Sequence, residues 1–284
     1  MRCQWQSFLN LLPARFREPI DRLGKDDLQE LRLRLGQAPE LIRGSGILHL
    51  PYSVSQVDLT YIVNMATQYS PWATDSSAQG FISAAGGHRI GICGTTAIQQ
   101  GLVTGFKEIS SLCIRIARDI PGIGKEAIAI EDSFLIIGRP GAGKTTLLRD
   151  IVRQISELSS QQIVVIDERE ELFPLNNGAF AFPPGKHTDV LSGCNKVDGI
   201  DMALRCMGPD MIVVDEITSA KDCESMLRAG WCGVRLVATA HAGSLEELYR
   251  RPVYQPIIKN GLFDHVVVLL PDKSWYVEEV DSRC

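Results

Sequence analysis

The feature that most constrains this 284-residue chain is the octapeptide GRPGAGKT at residues 138–145. It matches the pattern G-x-x-x-x-G-K-[ST], follows the apolar run at residues 134–137, and leads into residues 146–152, whose apolar positions have helical spacing. A strand, a glycine-rich loop and a helix in this order are the setting that a phosphate-binding loop requires. A glycine turn before an ordinary helix is the alternative, and the coincidence of motif and setting disfavours it. We therefore predict a nucleoside triphosphate site.

Each residue type in this loop has a chemical reason. The glycines let the backbone turn its N–H groups toward phosphate oxygens, and the helix N-terminus adds favourable partial charge. We expect Lys144 to contact the β- and γ-phosphates and the Thr145 hydroxyl to ligate Mg²⁺. The residues predicted to bind nucleotide are Gly138, Arg139, Pro140, Gly141, Ala142, Gly143, Lys144, Thr145 and Thr146. ATP and Mg²⁺ are the expected ligands.

Composition excludes some classes of partner. The chain has 29 Lys and Arg against 34 Asp and Glu, a formal net charge of −5, and 45% hydrophobic residues. These are the proportions of an ordinary globular protein. The excess of acidic residues argues against a broad basic surface for duplex DNA or anionic lipid. It does not argue against a local basic channel.

Cysteine usage and hydropathy bear on the compartment. None of the eight cysteines forms a C-x-x-C pair, and their spacing to histidine fits no zinc pattern, so reduced thiols are expected. No apolar run approaches the roughly 20 residues that span a bilayer. We expect a cytoplasmic protein. Peripheral attachment to a membrane complex is not excluded by these features.

Two domains are predicted. Residues 1–118 combine short helices with strands and glycine turns, residues 119–131 have linker chemistry, and residues 132–284 alternate strand and helix. The expected fold class is α/β, a P-loop (RecA-like) ATPase domain with a smaller N-terminal α+β domain. In the second domain we expect strands near 133–138, 162–167, 211–215, 234–240 and 264–270, and helices near 143–158, 197–207, 220–230 and 244–260.

A second motif consists of two acidic residues at the end of an apolar predicted strand. Residues 211–214 are apolar and end in Asp215 and Glu216. In nucleotide-hydrolysing P-loop proteins, the first carboxylate holds Mg²⁺ through water and the second can polarise the attacking water. Two adjacent carboxylates at a buried strand end otherwise need a cation or hydrogen-bond donors. Two solvated turn acids are the alternative.

Two further strand ends carry polar groups. The strand at 163–166 ends in Asp167 and Glu168, which suggests a second carboxylate aimed at metal or water, with Glu168 as a catalytic candidate. A charged strand-to-loop transition with Arg169 pairing internally is the alternative. The strand at 236–240 closes with Thr239 and His241, where strand ends converge on a ligand. We therefore predict that His241 senses or polarises the γ-phosphate. A structural role is the alternative for this histidine.

Arginines of the first domain are candidates for the transition-state charge. A P-loop site is commonly completed by an arginine from another domain or subunit. Arg89, Arg115 and Arg118 lie on strands before the linker. Plain surface charge is the alternative for each of them.

In this order, the motifs resemble those of the type II/type IV secretion ATPase superfamily. Its Walker A, Asp box, Walker B and His box would be residues 138–145, 167–171, 211–216 and 239–241. The resemblance implies a homohexamer in which arginines of the N-terminal domain, here Arg89 and Arg115, complete a neighbour's nucleotide site.

A closer resemblance is to the cytoplasmic ATPase family of the channel between mother cell and forespore in endospore-forming bacteria. It covers nearly the whole chain, through ELRLRLG at 30–36, GHRIG at 87–91, IRIAR at 114–118 and VIDER at 165–169. The chain also departs from the general secretion ATPases: Thr218 stands where their Walker B motif has arginine, and the zinc-binding cysteine module of many of them is absent.

The expected function is an ATP-hydrolysing motor of a sporulation-associated secretion or channel complex. Its expected partners are copies of itself and membrane proteins, and its expected place is the mother-cell cytoplasm. One alternative is a P-loop ATPase acting on single-stranded nucleic acid, which the acidic tail at 271–284 disfavours because such modules are basic and aromatic. The other is a nucleotide-gated scaffold with little turnover.

Overall fold

The computed structural model describes residues 3–68, 80–176 and 178–280. These residues form two compact units. One contains the residues up to Arg118 together with Pro174–Ala181, and the other contains Asp119–Phe173 and the residues from Phe182 onward. None of the helices in the described ranges has the length and apolar content that a bilayer crossing requires.

The N-terminal unit is built on a six-stranded antiparallel sheet in the order β3-β2-β1-β6-β5-β4. Its described helices are α1 (Trp5–Leu11), α2 (Ala14–Leu23) and α3 (Gln56–Thr67). Its strands are β1 (Leu28–Arg34), β2 (Glu40–Arg43), β3 (Gly46–His49), β4 (Phe81–Ala84), β5 (His88–Gln99) and β6 (Leu102–Arg115). A separate two-stranded ribbon pairs β9 (Leu175–Asn176) with β10 (Ala179–Phe180).

Sequence pattern explains this unit locally. The alternation in β1 buries Leu31 and Leu33 while Arg32 stays exposed, as a half-buried strand requires. Ser55 caps α3 and Asp58 returns the bond, a capping box that satisfies N–H groups of the first turn. The predicted mixture of helices and a small sheet is therefore present.

The second unit is built on a seven-stranded sheet in the order β11-β8-β12-β13-β7-β14-β15. Its strands are β7 (Phe134–Gly138), β8 (Ile163–Asp167), β11 (Thr188–Ser192), β12 (Met211–Val214), β13 (Arg235–Ala240), β14 (His265–Leu269) and β15 (Trp275–Glu279). Its α-helices are α4 (Lys144–Leu158), α5 (Lys196–Cys206), α6 (Ala220–Trp231), α7 (Leu245–Arg250) and α8 (Gln255–Lys259).

All strand pairs in this sheet are parallel except β14 with β15. The strands β7, β8 and β12 are buried along their whole length, as expected for parallel strands covered on both faces. Their carboxyl ends therefore meet at one edge of the sheet, where open α/β sheets bind ligands.

The predicted strands and helices of this unit are present, with three differences. The helix expected over 244–260 is divided into α7 and α8, because Pro252 cannot donate the N–H that a continuous helix needs. The other two differences are the strands β11 and β15, which flank the sheet and were not predicted.

The segment predicted as a linker is hydrogen-bonded to α4. The N–H groups of Gly122 and Gly124 donate to the buried carboxylate of Asp150, at 3.0 and 2.8 Å. Arg153 on the same helix pairs with both Asp150 and Asp119. This segment is therefore anchored to the helix that begins at the glycine-rich loop.

Candidate nucleotide-binding site

The glycine-rich loop joins β7 to α4 and has the expected backbone geometry. Gly141 and Gly143 have φ angles of 76° and 109°, which side chains with a Cβ rarely adopt. A Cβ at Gly138 would come within 3.1 Å of the Leu269 carbonyl oxygen. Arg139, Pro140 and Gly141 are exposed at the tip, Ala142 is buried, and Gly143, Thr145 and Thr146 are half-buried.

Lys144 is the first residue of α4 and is 6% exposed. Its ammonium group donates to the carbonyl oxygens of Gly138 at 2.9 Å and Arg139 at 3.2 Å. Its third contact is Nδ1 of His241 at 2.9 Å. Burial lowers the pKa of Lys144, and the nearby carboxylates of Asp215 and Glu216 oppose that shift.

Asp215, just beyond β12, is held by two threonine hydroxyls. Thr145 Oγ1 donates to Asp215 Oδ2 at 3.1 Å, and Thr239 Oγ1 donates to Oδ1 at 2.6 Å. The same Thr239 oxygen accepts the N–H of Glu216 at 2.8 Å. Thr239 is fully buried at the end of β13, the strand beside β12. One hydroxyl therefore fixes both members of the acidic pair.

Glu216 has both carboxylate oxygens engaged. Arg169 Nη1 donates to Oε2 at 2.6 Å, and His241 Nε2 lies 3.1 Å from Oε1. Because the Lys144 ammonium can only donate, Nδ1 of His241 must accept, and so Nε2 carries the hydrogen and donates to Glu216. The structure therefore joins Lys144, His241 and Glu216 in one hydrogen-bonded chain.

The strand end of β8 is used differently from the strand end of β12. The buried Asp167 carboxylate accepts the backbone N–H groups of Glu171, Leu172 and Phe173 at 2.8–3.0 Å. Burial raises the pKa of Asp167 to about 6, against the lowering effect of these bonds. Asp167 thus shapes the loop that follows β8, whereas the sequence suggested a carboxylate aimed at metal or water.

Glu168 forms an ion pair with Lys196, the buried first residue of α5. The hydrogen bonds of the described residues place it outside the chain of contacts from Lys144 to Glu216. Its catalytic assignment stays a prediction. Thr218, where the resemblance leads one to expect arginine, bonds Asp222 at the start of α6.

Four residues of this region were missed by sequence reasoning. Lys273, in the turn after β14, donates to the carbonyl oxygens of Gly141 at 2.7 Å and Ala142 at 3.1 Å. Asp150 holds the segment before β7. Arg149 donates to two carbonyl oxygens of the loop after β8, and burial lowers its pKa to about 10. The Tyr254 hydroxyl accepts the N–H of His241 at 3.3 Å. No local motif marks any of them.

The predicted arginines of the N-terminal unit are neighbours. Arg89 on β5 is directly opposite Arg115 on β6, so both side chains leave the same face of the sheet. Arg89 lies over the Phe81 ring at 4.0 Å, and Arg115 pairs with Glu30 on β1 at 3.6 Å. Arg118 bonds the carbonyl oxygens of Lys25 and Leu28 and so has a structural contact within its own unit.

The second unit fits a magnesium nucleotide by its donor set. A hydroxyl and a carboxylate, Thr145 and Asp215, are in contact beside a lysine and a loop of left-handed glycines. Among the described residues no group of three His, Cys, Asp or Glu side chains is arranged to hold a metal alone. The hydroxyl of Thr145 and the carboxylate of Asp215 suit Mg²⁺, which binds through one or two protein oxygens together with substrate phosphates and water.

Comparison with known proteins gives the family. The profile described as "Sporulation stage III, protein AA" matches residues 3–276. Stage III sporulation protein AA of Bacillus subtilis (strain 168) is 33% identical over 253 residues, which are 86% of this chain and 82% of that protein.

Solved structures agree in fold. The ATPase DotB of Yersinia pseudotuberculosis has a TM-score of 0.60 at 16% identity, covering 93% of this chain and 77% of that one. The pilus retraction motor PilT with bound ADP has a TM-score of 0.57 at 17% identity, covering 89% and 76%. The predicted fold class is thereby confirmed. The chain has the fold of the type II and type IV secretion ATPases and belongs to the family of sporulation stage III protein AA.

Proposed function

We propose that this chain is the ATP-hydrolysing motor subunit of a secretion or channel complex between mother cell and forespore. The observation that carries the proposal is the hydrogen-bond network at the carboxyl edge of the sheet. In it Thr239 joins the contacts among Lys144, His241 and Glu216 to the contact between Thr145 and Asp215. Family membership supports the sporulation setting. The proposal includes a homohexamer, membrane-protein partners, a place in the mother-cell cytoplasm and no direct contact with nucleic acid.

Binding falls to the glycine-rich loop and to Lys144. The loop's N–H groups and the start of α4 favour phosphate oxygens. The Lys144 ammonium now donates to two loop carbonyls and to His241, and the phosphates compete for the same hydrogens. Thr145 and Asp215 would hold Mg²⁺, which neutralises charge on the phosphate oxygens during transfer.

Glu216 is the base that orients the attacking water. Each oxygen of a carboxylate has two acceptor sites, so the bonds from Arg169 and His241 leave one site free on each oxygen. His241 links the state of Lys144 to Glu216, because its two ring nitrogens contact one each. That arrangement suits a residue that senses whether Lys144 has turned to a phosphate.

Arg89 and Arg115 are proposed to complete the site of a neighbouring subunit. Two like charges directly opposite on adjacent strands are unfavourable to each other, and Arg115 also pairs with Glu30 on β1. An anionic phosphate would relieve the repulsion. A shared site of this kind makes hydrolysis depend on assembly.

The test is steady-state ATP hydrolysis against protein concentration, with Arg115→Ala and Glu216→Gln measured alone and mixed. Specific activity should rise with concentration in the wild type, and each variant alone should be nearly inactive. Mixing equal amounts should restore about a quarter of wild-type activity. A site shared head to tail needs Glu216 from one subunit and Arg115 from its neighbour, and in the mixture each of these is intact with probability one half. Arg205→Ala, an exposed arginine on α5, is the matched control.

Activity that is independent of concentration, with no recovery on mixing, would contradict shared sites. Firm ATP binding without turnover at any concentration would favour the nucleotide-gated scaffold.

A further inference from the structure

Arg169 contacts Glu216 through an arrangement that the backbone itself builds. The strands β8 and β12 are adjacent and parallel, with Ile166 beside Val214, so the residues that follow them emerge side by side. Counted on from this pair, Glu216 falls level with Glu168, and the turn that follows Asp167 brings Arg169, one residue further along, to Glu216. Their side chains meet at 2.6 Å, between Nη1 and Oε2.

The loop that carries Arg169 is held firmly. Glu170 has a φ angle of 54°, and its N–H donates to the Asp167 carbonyl oxygen at 3.2 Å, which closes a tight turn around Arg169. The three N–H groups bound by the Asp167 carboxylate fix the next residues. Glu168, another acid of this turn, is paired with Lys196. Arg169 is thus directed to Glu216 within a rigid turn.

Glu216 is held in an unfavourable backbone conformation. Its φ angle is also 54°, in the left-handed region, where a residue other than glycine is strained and persists only when its surroundings determine it. The contacts that do so are the Thr239 hydroxyl on its N–H, His241 on Oε1 and Arg169 on Oε2. Arg169 is the one of these that supplies a full positive charge, in a half-exposed position.

We infer that Arg169 is the positioning residue for the Glu216 carboxylate, fixing its orientation for water activation. The inference deepens the proposed function and rests on it. The charge-assisted bond on Oε2 and the His241 bond on Oε1 together fix the plane of the carboxylate, so the remaining acceptor sites keep one direction. Without Arg169 the carboxylate can rotate about its side-chain bonds while the phosphate-binding residues stay in place.

The experiment measures kcat and KM for magnesium ATP in the full chain for wild type, Arg169→Ala, Arg169→Lys and Glu216→Gln. Arg169→Ala should lower kcat about ten- to a hundredfold, the scale of a misplaced reacting group, with KM nearly unchanged. Arg169→Lys should recover part of the loss. Arg250→Ala, an exposed arginine of α7 paired with Glu246, is the control and should behave as wild type.

Chemical rescue separates positioning from a structural role. Guanidinium chloride, far below unfolding concentrations, should raise the kcat of Arg169→Ala, and sodium chloride at equal ionic strength should not. Arg169→Ala should add nothing in the Glu216→Gln background, since both act on one carboxylate.

These measurements separate failure of the inference about Arg169 from failure of the proposed function. If wild type hydrolyses ATP and Glu216→Gln does not, while Arg169→Ala keeps the wild-type kcat, only the inference is overturned. A rise in kcat on removal of Arg169 overturns the inference as well. So does a fall in kcat of the expected size that guanidinium does not relieve. A wild-type chain without hydrolysis overturns the proposed function and the inference with it.

Discussion

At the scale of the residue, Thr239 shows how one side chain can organise a site. It is fully buried, donates to Asp215 Oδ1 and accepts the N–H of Glu216. Removal of its hydroxyl leaves a carboxylate oxygen of the half-buried Asp215 and the backbone N–H of Glu216 without this partner. The cost of leaving such groups unpaired is larger than the net worth of a hydrogen bond.

We therefore expect Thr239→Val to lower the free energy of unfolding by about 1–3 kcal/mol and to lower ATP turnover, because valine keeps the shape and removes the hydroxyl. Thr239→Ser, which retains the oxygen, is the control and should stay close to wild type. Urea unfolding and steady-state hydrolysis check both effects. Equal stability and turnover in the valine variant and wild type would refute the role given to this hydroxyl.

Sequence alone could predict the residues whose chemistry is tied to a local pattern. The loop from Gly138 to Thr145 and the acids beyond β12 follow from strand, turn and helix signals, and their meeting follows from the parallel sheet. An internal pairing of Arg169 was one of the alternatives, but its partner Glu216 could not be predicted, because the contact depends on the turn that follows Asp167. For Asp167 the sequence left two alternatives open, a carboxylate aimed at metal or water and a charged strand-to-loop transition, because an acid at a strand end can bind backbone N–H groups as well as metal.

At the scale of the element, the C-terminal hairpin supports the glycine-rich loop. Lys144 donates to the carbonyls of residues 138 and 139 from inside the loop, and Lys273 donates to those of residues 141 and 142 from the turn between β14 and β15. Four loop carbonyls are thus bound by two ammonium groups. Lys273 is 132 positions from Gly141, so no local pattern could reveal this support.

Lys273→Ala should weaken ATP binding about three- to tenfold, since the loop loses charge-assisted bonds at an exposed position. The dissociation constant of a fluorescent ATP analogue measures this directly. Lys259→Ala, an exposed lysine at the end of α8, is the matched control. A dissociation constant for Lys273→Ala equal to that of the control would show that the hairpin does not support the loop.

Edge elements were the hardest to predict. The strand β11 has no continuous apolar run and is only partly buried at the border of the sheet. The strand β15 is largely exposed, and from the sequence it was interpreted as part of an acidic tail. The pairing of each strand with a buried neighbour, β8 or β14, determines its conformation more than its own composition does.

At the scale of the whole molecule, two sheets of different type carry different sets of candidate functional residues. The seven-stranded, mostly parallel sheet brings the ends of β7, β12 and β13 to one edge, which gathers the nucleotide-binding and acidic residues. The antiparallel sheet of the N-terminal unit presents Arg89 and Arg115 side by side. Hydrolysis chemistry is proposed for the first and completion of a neighbour's site for the second.

ATP hydrolysis with Glu216 as the base is tested by measuring phosphate release together with ATP binding. Glu216→Gln should bind magnesium ATP as wild type does and release phosphate about 10²–10⁴ times more slowly, the usual contribution of a general base. Lys144→Ala should lose binding itself, and Glu246→Gln, an exposed glutamate of α7, should match wild type. Phosphate release by Glu216→Gln at the wild-type rate would contradict the account.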